Sequence, residues 1–214
     1  MKSSLIISSL TAIVLLTSGC SSKQEVEYNK SAEYWYQKMV KEIGRGELEK
    51  ADQTFTSLQS EHIRSPFVEE SLMMLTFAHM DKEEYLLANF YLDEYIKRFS
   101  TQQTREYARF LKVKAGFLGF KNAGREQQLL QDTIKDAKQF LNDYPSSQYE
   151  PMVGSMLAKL LLADNMLNQN IATLYDKLGK PQAATFYRSK QQEPWLSNTP
   201  AQAPYIPWYR RSFE

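Results

Sequence analysis

From residue 31 to residue 191, apolar side chains recur at spacings of three and four almost without pause. That is the period of an amphipathic helix. The Val and Ile alternation that a half-buried strand requires is scarce, so the chain is confined to all-α folds. Glycine and proline cut the helical stretch into pieces. The spacing predicts helices over 31–43 and 47–61, turned at Gly44-Arg45-Gly46. It predicts a second pair over 66–80 and 83–99, turned at Asp81-Lys82, and a third over 104–120 and 126–142, joined by a longer loop with Asn122 and Gly124. A long helix over 147–164 comes next, then a last pair over 165–178 and 181–191, turned at Gly179-Lys180.

The pairs resemble one another. In the second helix of each, a small residue is followed four places later by a large one: Ala51 and Phe55, Ala88 and Leu92, Ala137 and Leu141, Ala183 and Tyr187. The small residue lets two helices approach, and the large one fills the gap one turn on. Ala51 and Ala88 are 37 residues apart, close to the 34 of a tetratricopeptide repeat; the later spacings of 49 and 46 require insertions. Pro66 and Pro145 fall where one repeat passes to the next. The expected architecture is therefore a tetratricopeptide-like solenoid of helical hairpins, with repeats over 31–99 and 104–191. One helix of each pair would line a groove suited to extended peptides or a partner's surface.

The ends of the chain differ from its middle. Lys2, the apolar run Leu5 to Leu16 and the small residues Thr17-Ser18-Gly19 have the layout of a secretory signal over 1–19. The apolar run is too short to span a bilayer. It ends at Cys20, the only cysteine of the chain, and this arrangement resembles a bacterial lipobox with Thr17 where Leu is usual. The resemblance implies that Cys20 becomes the lipidated N-terminus, a membrane anchor that does not span the bilayer. Ser21 after the cysteine is compatible with sorting to the outer membrane. Residues 20–30 are polar and read as a tether. Residues 192–214 carry half of the eight prolines with Trp195, Tyr205, Trp208 and Tyr209, which excludes a continuing helix and favours polyproline II. These aromatics either cap the last helices or grip a partner.

Chemistry finds no foothold. His62 and His79 are the only histidines, and neither has ligand spacing to another His or to Cys. There is no phosphate-binding glycine loop and no Gly-x-Ser-x-Gly elbow; Gly116-Phe117-Leu118-Gly119 sits in a helical stretch. No cofactor, metal or catalytic residue is expected. Loss of residues 1–19 removes one charge, Lys2, and leaves 25 basic against 25 acidic side chains, a balance that argues against nucleic acid. Locally the balance is uneven: 61–96 is acidic and 105–125 basic, which either steers partners or pairs internally. At the N-terminal end the run Tyr34-Trp35-Tyr36 cannot bury three side chains on one helical face. It marks the opening repeat as a candidate peptide pocket, and core or capping use accounts for the run equally well.

The lipobox, the repeats and two segments together resemble the BamD (ComL-type) family of outer-membrane lipoproteins over about residues 20–191. The segments are Phe140-Leu-Asn-Asp-Tyr-Pro-Ser-Ser-Gln-Tyr149 and Tyr85-Leu-Leu-Ala-Asn-Phe-Tyr-Leu-Asp-Glu-Tyr-Ile-Lys-Arg-Phe99. The resemblance implies a scaffold of the β-barrel assembly machinery, not an enzyme, held at the outer membrane and facing the periplasm. It implies that Tyr34, Tyr36 and Tyr91 meet unfolded outer-membrane proteins. It also implies that the last repeat, around 165–191 with Tyr187 and Arg188, docks on the periplasmic domain of the central barrel subunit; Trp195 and Trp208 of the tail are the further candidates for gripping that partner. The chain departs from the family where a Pro/aromatic tail replaces a fifth repeat. The other readings are a tetratricopeptide lipoprotein that pilots a secretin, pilus or division complex, and a cell-wall enzyme on a helical scaffold, for which 195 residues already committed to helices leave no room.

Overall fold

A computed structural model describes residues 27–121 and 124–190, and these contain eight helices and no strand. They are α1 (Ala32–Gly44), α2 (Leu48–Glu61), α3 (Pro66–Asp81), α4 (Tyr85–Arg98), α5 (Gln102–Gly119), α6 (Gln127–Asp143), α7 (Glu150–Lys177) and α8 (Pro181–Ser189). The signal segment, Cys20, Asn122, Trp195, Trp208 and the Pro/aromatic tail lie outside the described residues. The chain divides into two units, Met1–Ser31 and Ala32–Glu214. In the first, residues 27–31 are described; they form no helix and leave Tyr28 exposed.

In the second unit each helix packs on the next in chain order, and α1 also meets α3 as α5 meets α7. Contacts restricted to near neighbours in the chain define a helical-hairpin solenoid, so the all-α, tetratricopeptide-like expectation holds. Three hairpin turns share one device. Gly46, Glu83 and Gly179 adopt a left-handed φ of +73°, +59° and +68°. In each case the next amide reaches back five residues: Glu47 to Glu42, Glu84 to His79, and Lys180 to Tyr175, at 3.0, 2.8 and 2.9 Å. This is the Schellman closure, which satisfies carbonyls that a helix end leaves unpaired. Glycine supplies it without strain at two of the three sites.

One core runs from Trp35 and Met39 on α1 to Val153 and Met156 on α7. Ala51, Ala88 and Ala137 are fully buried, as the small-then-large pattern requires. The pattern shifts in the last hairpin, where Ala184 rather than Ala183 is buried, because α8 meets α7 through Ala184, Tyr187 and Arg188. A second difference concerns length. The stretches expected as separate helices, 147–164 and 165–178, form the single 28-residue α7. The polar step at 164–165 does not break it, since no glycine or proline lies between Gly154 and Gly179.

Gly116 explains how tightly α5 and α6 pack. A Cβ there would lie 2.4 Å from Thr133 Oγ1 and 3.0 Å from its Cγ2, so glycine is required by the neighbouring helix rather than by any ligand. Thermal or urea denaturation should find Gly116→Ala less stable by about 1–3 kcal/mol. Adding Thr133→Ala should recover part of that loss. Equal stability of the wild type and the single variant would show that the two helices separate without cost.

Candidate functional site

The aromatic run of α1 is divided among three environments. Trp35 is buried, and its Nε1 donates to Glu61 Oε2 at 2.8 Å across the first hairpin. Tyr36 turns toward α3, where its ring stacks on Phe67 at 4.7 Å and its hydroxyl donates to Glu70 Oε1 at 2.6 Å. That hydrogen bond, with some burial, pushes the phenol up to about 12. Tyr34 packs its ring edge-on against Trp35 and is 38 % exposed. The run therefore offers Tyr34 to solvent, while Tyr36 largely joins two repeats.

Tyr91 is not on a groove wall. It is 4 % exposed, and its hydroxyl donates to Asp52 Oδ1 at 2.7 Å. Its ring stacks on His79 with centroids 5.4 Å apart. Asp52, 39 residues earlier in sequence, draws it into the interior. Burial and the Asp52 carboxylate both raise its pKa.

The residue missed in sequence is His79. It is 1 % exposed, with Nδ1 2.6 Å from Glu84 Oε2 and Nε2 2.9 Å from Asp52 Oδ1. Each ring nitrogen thus faces a carboxylate oxygen, an arrangement that favours the imidazolium. Burial opposes that charge, but the two carboxylates outweigh it and raise the pKa above the usual histidine value. The cluster ties α2 to α3 and to the start of α4. Its carboxylates sit at opposite ends of the ring, and no group of His, Cys, Asp and Glu able to hold a metal occurs among the described residues.

The uneven charge of 61–96 and 105–125 is paired in part across neighbouring helices and turns. Lys112 Nζ lies 2.7 Å from Asp93 and 3.4 Å from Asp136, Arg109 pairs with Asp143 at 3.6 Å, and Lys121 with Glu83 at 3.3 Å. At the far end Tyr187 stacks on Tyr175 at 5.5 Å, and Arg188 pairs with Asp176 of the same hairpin.

Apolar surface is concentrated on α4. Leu86 is 70 % and Phe90 58 % exposed, one turn apart, with Leu87 beside them and Phe77 exposed on α3. The signal was present in the run Tyr85 to Leu92, which is apolar at all but one position and cannot bury every side of one helix. A shallow cleft of about 300 Å³ beside Leu86 and Leu87 is bordered by Tyr85, Gly119, Lys121 and Glu126. No helix among the described residues is long and apolar enough to cross a membrane.

Comparison with known proteins agrees with these features. Residues 28–191 match the YfiO family, described as an outer membrane lipoprotein. An outer membrane protein assembly factor BamD from Helicobacter pylori (strain ATCC 700392 / 26695) is 41 % identical over 205 residues, covering 95 % of this chain and 93 % of that protein. The outer membrane protein assembly factor BamD of Caulobacter vibrioides is 22 % identical over 135 residues, covering 61 % of this chain and 44 % of that one.

The His79 cluster sets the pH dependence of the fold. A histidine whose pKa is raised by folding adds stability that is full below its unfolded value, about 6.5, and is lost as pH rises through the folded value. Denaturant titrations between pH 6 and 9, a range chosen around that value, should show stability falling with pH. His79→Gln should flatten the slope and cost about 2 kcal/mol near pH 6. A slope unchanged in the variant would assign the pH dependence to other groups.

Proposed function

The chain belongs to the outer membrane lipoprotein family that includes the BamD assembly factors, and from that premise we propose that it receives unfolded outer-membrane proteins on its first two hairpins. It is an outer-membrane assembly factor and not an enzyme. In this reading lipid on Cys20 ties the chain to the outer membrane, and the helical stack works on the periplasmic side. The last hairpin, where Tyr187 and Arg188 lie, and the tail with Trp195 and Trp208 form the end that docks on the central barrel subunit.

The observation that carries the substrate end is the exposed apolar surface of α4. Leu86 and Phe90 stand one turn apart and are 70 % and 58 % exposed. Unfolded barrel strands alternate apolar and polar side chains along an extended backbone. Such a strand needs an open strip of apolar contacts rather than a closed cavity. Tyr34 adds an exposed ring on the opening repeat. Tyr36 and Tyr91 support the same end from within, by fixing α1 to α3 and α4 to α2.

A fluorescent peptide copying the C-terminal strand of a barrel protein tests this reading. Replacing Leu86 and Phe90 together with Asp should weaken its binding by about tenfold or more, the loss of at least one buried apolar contact. The melting temperature should change little, since both side chains are exposed in the free protein. Equal affinity in the folded variant would remove α4 from the substrate path.

A further inference from the structure

We propose that a furrow between α4 and α6, floored by α5, takes the polar side chains of an extended barrel strand whose apolar side lies on Leu86 and Phe90. Resting on the reading that α4 meets unfolded barrel chains, this gives the third hairpin a share of the contact. The cleft beside Leu86 and Leu87 is one end of the furrow. Clefts of about 330 and 150 Å³ continue it toward Ile96, and both are bordered by Asp93, Lys112 and Asp136. Leu86, Asn89 and Asp93 belong to the α4 wall and Leu129, Asp132 and Asp136 to the α6 wall, each row at spacings of three and four that keep it on one helix face. Two glycines let both walls close on α5. A Cβ at Gly116 would lie 2.4 Å from Thr133 Oγ1 of α6, and one at Gly119 would lie 3.0 Å from Tyr85 Cβ of α4.

The shape of the furrow selects a strand. From Leu86 to Ile96 the α4 wall is about 15 Å long, the span of about five extended residues. Lys112 Nζ lies 2.7 Å from Asp93 on one wall and 3.4 Å from Asp136 on the other. The two carboxylates therefore stand within about 6 Å of each other, too close to admit a helix about 10 Å across. Side chains enter, and the backbone that bears them stays at the rim.

Its chemistry selects the polar side of that strand. One lysine between two aspartates leaves a negative charge, which favours a basic or amide side chain. Asn89 Oδ1 and Arg109 Nε, on the α4 wall and the α5 floor, are buried without a hydrogen-bond partner among the described residues. One accepts and the other donates, so incoming polar side chains can complete both. Along the outer edge of the same wall run the exposed Leu86 and Phe90. An apolar row and a polar row thus lie side by side on α4, which matches a barrel strand with apolar side chains on one face and polar ones on the other.

The test uses the full mature chain in detergent and the fluorescent strand peptide. The photo-crosslinking residue p-benzoylphenylalanine is placed at Leu86, at Gln139 on the α6 wall, or at Gln131, whose side chain bonds to Asp164 of α7 and so marks another side of α6. We expect crosslinks from Leu86 and Gln139 and none from Gln131. With the photoprobe moved along the peptide instead, adducts to α6 should come from every second position. Asp132→Arg with Gln139→Arg, both exposed, should weaken binding several-fold with the melting temperature unchanged. Crosslinks from Leu86 alone would overturn the furrow and leave the α4 reading standing, and crosslinks from neither position would end both. Adducts from every third or fourth peptide position would show a helical occupant and overturn the strand. Unchanged affinity in the folded double variant would also overturn the furrow.

Discussion

A two-helix hairpin has more apolar surface than it can bury against itself. Each hairpin here is completed by the next, and the core passes without interruption from Trp35 on α1 to Met156 on α7. That need for a neighbour fixes the other features of the fold. It demands turns that reverse the chain within two or three residues, which the left-handed positions at Gly46, Glu83 and Gly179 provide. It demands close approach between successive helices, which places Ala51, Ala88 and Ala137 at zero exposure and glycine at 116. It also leaves the two ends of the stack, and any helix face too apolar to be covered, available to other chains.

The polar residues inside this stack join helices. Trp35 to Glu61 and Thr54 to the buried Glu42 tie the two helices of the first hairpin, Tyr36 to Glu70 joins α1 to α3, and the group of Asp52, His79, Glu84 and Tyr91 links α2, α3 and α4. Directional bonds of this kind fix the register in which apolar faces stack, something area burial alone specifies poorly. The protein needs such rigidity because its work is presentation. The exposed Leu86 and Phe90 hold their places only while the hairpin beneath them does.

Much of this was legible in the sequence because helical periodicity and turn residues are local. The helix pairs, their glycine turns and the small-then-large packing of the first three hairpins could be read from spacing alone. Two local readings went astray at α7 and α8. Asp164-Asn165 resembles a break, yet no glycine or proline between Gly154 and Gly179 makes one. The buried alanine of α8 sits one place later than its pattern implies, since a nine-residue helix is positioned by Tyr175 and Asp176 of its partner rather than by its own periodicity. The interior roles of Tyr91 and His79 were not legible, because their partner Asp52 is 39 and 27 residues away in sequence. The exposed strip on α4 stood in plain view as an over-apolar helix, but which of its sides faces solvent depends on where α3 and α5 lie.

Gentle solubilisation of the membrane, followed by mass spectrometry of what co-purifies with the tagged, lipidated chain, is the sharpest test of a presenting scaffold at the outer membrane. The expected companions are a large β-barrel subunit with a periplasmic domain and incompletely folded outer-membrane proteins. A secretin or pilus component in their place, or a chain recovered free of any barrel protein, would contradict that role.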